Sequence, residues 1–100
     1  MSIDIRKLPH NKAILYDTKG EITIVEGPFD DKCLKTLLEC EMFQMVPCTV
    51  GSLAGKAELW MNEEGFELPC NKNATSFFCD QVYGGYLRGN VLLVHCGAVE

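Results

Sequence analysis

Residues 91–96 read Val-Leu-Leu-Val-His-Cys, four apolar side chains in succession before the first polar one. Successive side chains of a strand point to opposite faces, so an extended run without alternation has no face to give to water. The run predicts a strand covered on both faces or central in a sheet, and the rest of the chain must supply that cover. With 100 residues, the chain can bury roughly 60–65% of its unfolded surface, enough for one modest core. One compact domain over residues 1–100 is expected.

The segment NKAILYDTKGEITIVEG reads as two strands, Ala13 to Tyr16 and Glu21 to Val25, around Asp17-Thr18-Lys19-Gly20. Asp first and Gly fourth suit a type I turn whose glycine takes positive φ, as in a three-residue hairpin loop with a Gly bulge. Before it, Ile3 and Ile5 alternate with polar neighbours and predict a short edge strand ended by Pro9. The period then changes: Phe29, Cys33, Leu34, Leu37 and Leu38 recur at helical spacing, with Lys32, Lys35, Thr36 and Glu39 opposite. Pro28 and Asp30-Asp31 mark the start of that helix, where carboxylates complement the positive dipole end.

FQMVPCTV returns to extended structure, and Pro47 argues for an edge position or a bend. KAELWM alternates, with Ala57, Leu59 and Met61 on one side and Glu58 and Trp60 on the other. Asn62-Glu63-Glu64-Gly65 repeats the grammar of the first turn. Glu63 and Glu64 are therefore expected at the wet tip of a bend between neighbouring strands. A general acid there would lack the burial or charged neighbour that retunes a carboxyl. After Pro69 a loop leads into a short helix that Asn73 can cap, with Ala74, Phe77, Phe78 and Val82 as its apolar face and Gly84-Gly85 as its end. The sum is an α+β domain: a mainly antiparallel sheet of about five strands, with one longer and one short helix packed on it, both on one face.

A formal charge of −5 with scattered Lys and Arg disfavours binding to duplex nucleic acid, which needs a basic stripe that releases counterions. No apolar run approaches the length of a membrane span. MSIDIRKLPHNK has no apolar signal core, and Ser2 stands where N-myristoylation needs glycine. A cytoplasmic location is the resulting expectation. Six cysteines, Cys33, Cys40, Cys48, Cys70, Cys79 and Cys96, contain no C-x-x-C pair. In a reducing compartment they read as small core hydrophobes and not as disulfides. A zinc site drawn from Cys70, Cys79, His95 and Cys96 would lack the closely spaced ligand pairs of structural zinc, so neither metal nor cofactor is expected.

Asn62, Glu63 and Gly65, then Asn71, Ala74 and Thr75, then Gly89, Asn90 and Val91 form three short motifs. Together they resemble the pattern N-E-x-G, N-x-x-A-T, G-[ND]-V-x-V of a family of small domains of unknown function. That family occurs in bacteriophages, bacterial mobile elements and large DNA viruses of algae. The chain departs from the pattern at Leu93, where the second valine would stand. The likeness covers the C-terminal half, with the preceding helix and the MVP strand in matching order. It implies a virus or mobile-element origin and action in the host cytosol, and it carries no catalytic residue over. Either Asn71 or Asn73 fills the asparagine position.

These readings favour a non-enzymatic binding or interaction module. Its partner would be a host protein or a small anionic, nucleotide-like ligand, and a homo-oligomer built on sheet edges is an alternative. The candidate ligand site is Asn71, Lys72, Asn73, Thr75 and Arg88. Neutral donors there, with two cations, would meet an anion at the short helix's N-terminus. The competing reading is that Asn73 and Thr75 merely cap that helix. The enzymatic alternative is a cysteine nucleophile, Cys70 or Cys96, although His95 beside Cys96 points to the other face of its strand.

Overall fold

The apolar run becomes the middle strand of the sheet. The structure, a computed structural model, describes residues 4–48, 53–64, 67–78 and 87–100. In chain order the strands are Lys12–Tyr16 (β1), Ile22–Glu26 (β2), Phe43–Pro47 (β3), Ala57–Asn62 (β4) and Val91–His95 (β5). The helices are Asp31–Leu38 (α1) and Lys72–Phe78 (α2). The strand order is β2-β1-β5-β4-β3 and every pair is antiparallel. Val91, Leu92, Leu93 and Val94 are each no more than 1% exposed.

Strict alternation along the strands divides the core in two. Val91 and Leu93 join Ile14, Tyr16, Ala57, Leu59 and Met61 on the face covered by Ala74 and Phe78 of α2. Leu92 and Val94 join Ala13 on the face covered by Phe29 and by Leu34 and Leu38 of α1. The fold class is the expected one, but the helices cover opposite faces instead of sharing one. The reason lies in β5: a strand apolar on both sides needs a lid on both. Trp60 faces the α1 side against Phe43, with ring centroids 5.5 Å apart, as the alternation of β4 requires.

Local chemistry sets the ends of the elements. Asp30 caps α1 by accepting the Cys33 amide at 2.8 Å, and Lys35 pairs with Asp31 one turn away at 3.1 Å. In the first hairpin Asp17 Oδ1 accepts the amides of Lys19 and Glu21, both at 2.9 Å, and Gly20 has φ 91°. A side chain is strained in that region, so glycine fits the turn. Pro47 does sit in an edge strand, β3.

Two elements differ from expectation. Ile5–Lys7 is a 3-10 turn, not an edge strand. Asp4 Oδ1 accepts the Arg6 amide at 3.0 Å, which holds the turn, while Ile5 plugs the α2-side core at 1% exposure. Ile3 lies outside the described residues, as do Gly65, Cys79, Val82, Gly84 and Gly85. Glu63 and Glu64 are exposed turn residues, and Asn62 Oδ1 accepts the Glu64 amide at 2.8 Å. Their turn does not lead into a strand beside β4, because β3 and β5 already occupy both of its edges.

Tyr16 ends β1 inside the core at 4% exposure, among Phe77 and Phe78. Burial pushes its phenol from the ordinary 10 up to about 12, and the nearby Cys48 thiol adds to the shift. The unfolded chain therefore releases this proton before the folded one does. Stability contributed by the neutral phenol is complete below pH 10 and is lost as the pH rises through about 12. Urea midpoints measured from pH 8 upward are expected to fall above pH 10, and Tyr16→Phe is expected to remove that part of the fall.

Candidate functional site

Asn71 is the one buried polar side chain among the described residues, at 0% exposure. Its Nδ2 donates to the Tyr16 carbonyl at 2.7 Å and to the Gly89 carbonyl at 2.8 Å. Its Oδ1 accepts the Ala74 amide at 3.1 Å. Asn71, not Asn73, thus caps α2, and the same amide ties the cap to the end of β1 and the approach to β5. Thr75 extends the clasp: its Oγ1 accepts the Leu87 amide at 2.9 Å and donates to the Leu87 carbonyl at 3.3 Å. Backbone bonds from Asn71 to Leu87 at 2.7 Å and from Gly89 to Pro69 at 2.9 Å zip the two segments together. Gly89 has φ 75°, where a side chain is strained, and a Cβ there would also displace the movable end of Leu68, whose Cδ1 lies at 2.7 Å.

The five sequence-predicted site residues are thus brought together, but largely to bind the protein itself. Asn73 Nδ2 donates to the Gly20 carbonyl at 2.9 Å. Arg88 Nη1 donates to the Leu68 carbonyl at 3.2 Å, and Lys72 is exposed. Asn90 plays a similar part on the other face, donating to Leu37 O at 3.0 Å and to Glu39 Oε2 at 3.1 Å. Its amide serves an end carbonyl of α1, a helix too short to stand alone.

The opposite end of the sheet carries a second cluster, which sequence reasoning missed. Ile5, Arg6, His10, Lys56, His95 and Cys96 line a groove of about 390 Å³, within the size range of small-molecule sites. The 3-10 turn presents Arg6, the bend before β1 presents His10, and the loop into β4 presents Lys56. The imidazoles of His10 and His95 stack, with centroids 5.2 Å apart and planes 20° off parallel. His95 Nε2 lies 2.9 Å from the Leu8 carbonyl. A carbonyl only accepts, so Nε2 holds the proton and Nδ1 is the acceptor of the neutral ring. Arg6 forks onto Asp4, Nε to Oδ1 at 2.9 Å and Nη2 to Oδ2 at 2.7 Å. That guanidinium holds the Asp4 carboxyl at about 2, well below the usual range. Asp4 offsets Arg6, which leaves Lys56 as the other cation of the lining, with the Glu58 carboxylate 3.7 Å from the Cys96 thiol beside it. The sequence signal was slight: His10 and His95 lie 85 positions apart, and the antiparallel pairing of β1 with β5 brings them together.

A second hollow, about 500 Å³ along α1, mixes Lys32 and Lys35 with Asp31, Glu39 and Glu41 and has no surplus of positive charge.

Among the described residues no cysteine thiol is hydrogen-bonded to an imidazole. Cys70 Sγ is 3.7 Å from Thr75 Oγ1, and Cys96 Sγ is 3.7 Å from Glu58 Oε2. Burial raises the Cys33 and Cys40 thiols, with Asp30 and Glu41 adding in turn. Cys48 is fully buried, as a core cysteine should be, but Cys96 is exposed. Cys70 and Cys96 flank opposite ends of β5. Among the described residues no three His, Cys, Asp or Glu side chains converge as a metal would require, and no helix is long and apolar enough to cross a membrane. No family model, curated protein or solved structure matches this chain.

Asn71→Ala would remove three buried hydrogen bonds, two to the Tyr16 and Gly89 carbonyls and one from the Ala74 amide, a loss on the order of 3 kcal/mol. Asn73→Ala removes one exposed bond and should cost under about 1 kcal/mol. Urea denaturation of both variants is expected to show that ranking. Asn71→Asp, equal in shape but with oxygen facing the two carbonyls, is expected to be at least as damaging as Asn71→Ala.

Proposed function

We propose that this chain is a small, non-enzymatic binding module acting in the cytosol of a host cell, and that it takes a small anionic ligand bearing a phosphate. The observation that carries this reading is the groove where Arg6, His10, Lys56 and His95 converge. The Lys56 ammonium can bind phosphate through charge-assisted hydrogen bonds. Stacked imidazoles add a flat surface on which a nucleobase can lie. A viral or mobile-element origin belongs to the same proposal. Its support is the likeness of the three short motifs to that family's pattern.

Cys96 lines the same groove, which keeps a thiol enzyme in view as the competing reading. Binding is preferred because the Cys96 thiol faces the Glu58 carboxylate, and His95 Nε2 is occupied by Leu8. The groove also outranks the cluster at α2, where Asn71, Asn73 and Thr75 spend their hydrogen bonds on backbone.

Titration with inorganic phosphate and a nucleotide panel, followed by calorimetry and by the imidazole resonances, tests the proposal. Saturable shifts at His10 and His95 are expected. Lys56→Ala should weaken binding about tenfold, the worth of one hydrogen bond to a charged group. Lys72→Ala and Arg88→Ala should leave it unchanged. The reverse pattern would move the site to the N-terminus of α2. A flat response to every anion would remove the small-ligand function.

A further inference from the structure

Among the described strands β2 pairs only with β1, and its other margin is a free edge. Backbone parity identifies what that edge offers. The Gly27 amide donates to Asn11 at 2.7 Å and the Asp17 amide to Glu21 at 3.1 Å. In an antiparallel ladder hydrogen-bonded pairs recur at every second residue. Thr23 and Val25 therefore turn their N–H and C=O toward β1, while Ile22, Ile24 and Glu26 turn theirs outward. The opposite margin is guarded. The Cys48 amide donates to Ala57 and the Glu63 amide to Met42, both at 3.0 Å, which puts the Pro47 nitrogen at an outward position of β3. Proline there blunts an edge. Between Ile22 and Glu26 there is no proline, lysine or bulge, and Ile24 is 44% exposed.

We infer that β2 pairs with β2 of a second copy of this chain, antiparallel about a two-fold axis perpendicular to the sheet at Ile24. The occupant follows from self-complementarity. Of the possible registers, only the one with Ile24 opposite Ile24 matches all three outward positions within the strand, Ile22 facing Glu26 at each end. It seats the exposed Ile24 side chain against its own copy on the α2 side, and sets Thr23 against Val25 on the α1 side. Glu26 meets Ile22 and Glu21 meets Gly27, so no two acids are opposed; a slide centred on Glu26 would oppose them. One five-residue strand pair buries less than the roughly 1,200–2,000 Å² of a standard stable interface. The net charge of −5 on each copy also opposes association. The dimer is thus weak and concentration-dependent, strengthening with added salt.

Sedimentation velocity on the whole chain tests this from about 10 μM to about 1 mM, the range of weak association. The mass is expected to climb from 11.1 kDa toward twice that value. Ile24→Pro removes an outward amide and no β1–β2 bond, and it should hold the mass at the monomer value. Ile24→Lys, which leaves the backbone free, should do the same with an unchanged far-ultraviolet spectrum. Met45→Lys on the guarded margin should still dimerise. A monomer at every concentration overturns the inference and leaves β2 to a strand of another protein. Association that survives both Ile24 variants, or that is lost in Met45→Lys, overturns it as well.

Discussion

The dry middle of β5 sets the terms for the rest of the molecule. Val91 to Val94 have no wet side, so each sheet face must be roofed, and the chain has only two short helices with which to do it. α1 has eight residues and α2 seven, both below the length at which an isolated helix persists in water. Neither helix stands without the sheet, and the sheet cannot keep β5 dry without both helices. The dependence is mutual, which is the physical content of one cooperative domain. The 3-10 turn belongs to the same economy: Ile5 fills the α2-side core where the seven-residue helix runs out.

Burying a strand at the centre also buries the ends of the segments that feed it, and their backbone groups need partners. Asn71 meets that need with a single amide, satisfying carbonyls from β1 and from the approach to β5 while capping α2. Asn90 does a parallel service for α1. Each has donors in number and placement that serine or aspartate does not match. Gly89 stands between them with φ 75°, a conformation that strains any side chain, and its carbonyl accepts from Asn71. Of the three short motifs, the second and third supply this clasp through Asn71, Thr75, Gly89 and Asn90.

Hydrophobic periodicity made most of the fold legible. The α1 face, the alternation of β4, the D-T-K-G turn and the margin position of Pro47 all follow from local pattern and residue chemistry. Three things were not legible. Ile5 alternates with polar neighbours as a strand would, yet a capped turn places the same side chain in the core. The turn at Glu63 and Glu64 resembles a hairpin, but hairpin return depends on a free edge of β4, a property of the sheet and not of the turn. The groove joins the chain's two histidines, one before β1 and the other at the end of β5, and no window of sequence contains both. What remained readable of the α2 cluster was its residue types. Whether their hydrogen bonds were spent was a question only three dimensions answer.

The sheet consequently has unequal ends and unequal margins. At the α2 end, polar side chains are turned inward on carbonyls and amides, and additional binding there would compete with bonds that hold the fold. At the 3-10 end, nitrogen-bearing side chains meet around a hollow, where Asp4 holds Arg6 and the Leu8 carbonyl holds His95. Of the margins, β3 is guarded by Pro47 and β2 is not. The groove and the open edge are separated by β1, and a two-fold perpendicular to the sheet extends the sheet sideways without roofing either face. The ligand capture proposed at one end and the self-pairing inferred along one side therefore make no competing claims on the same atoms.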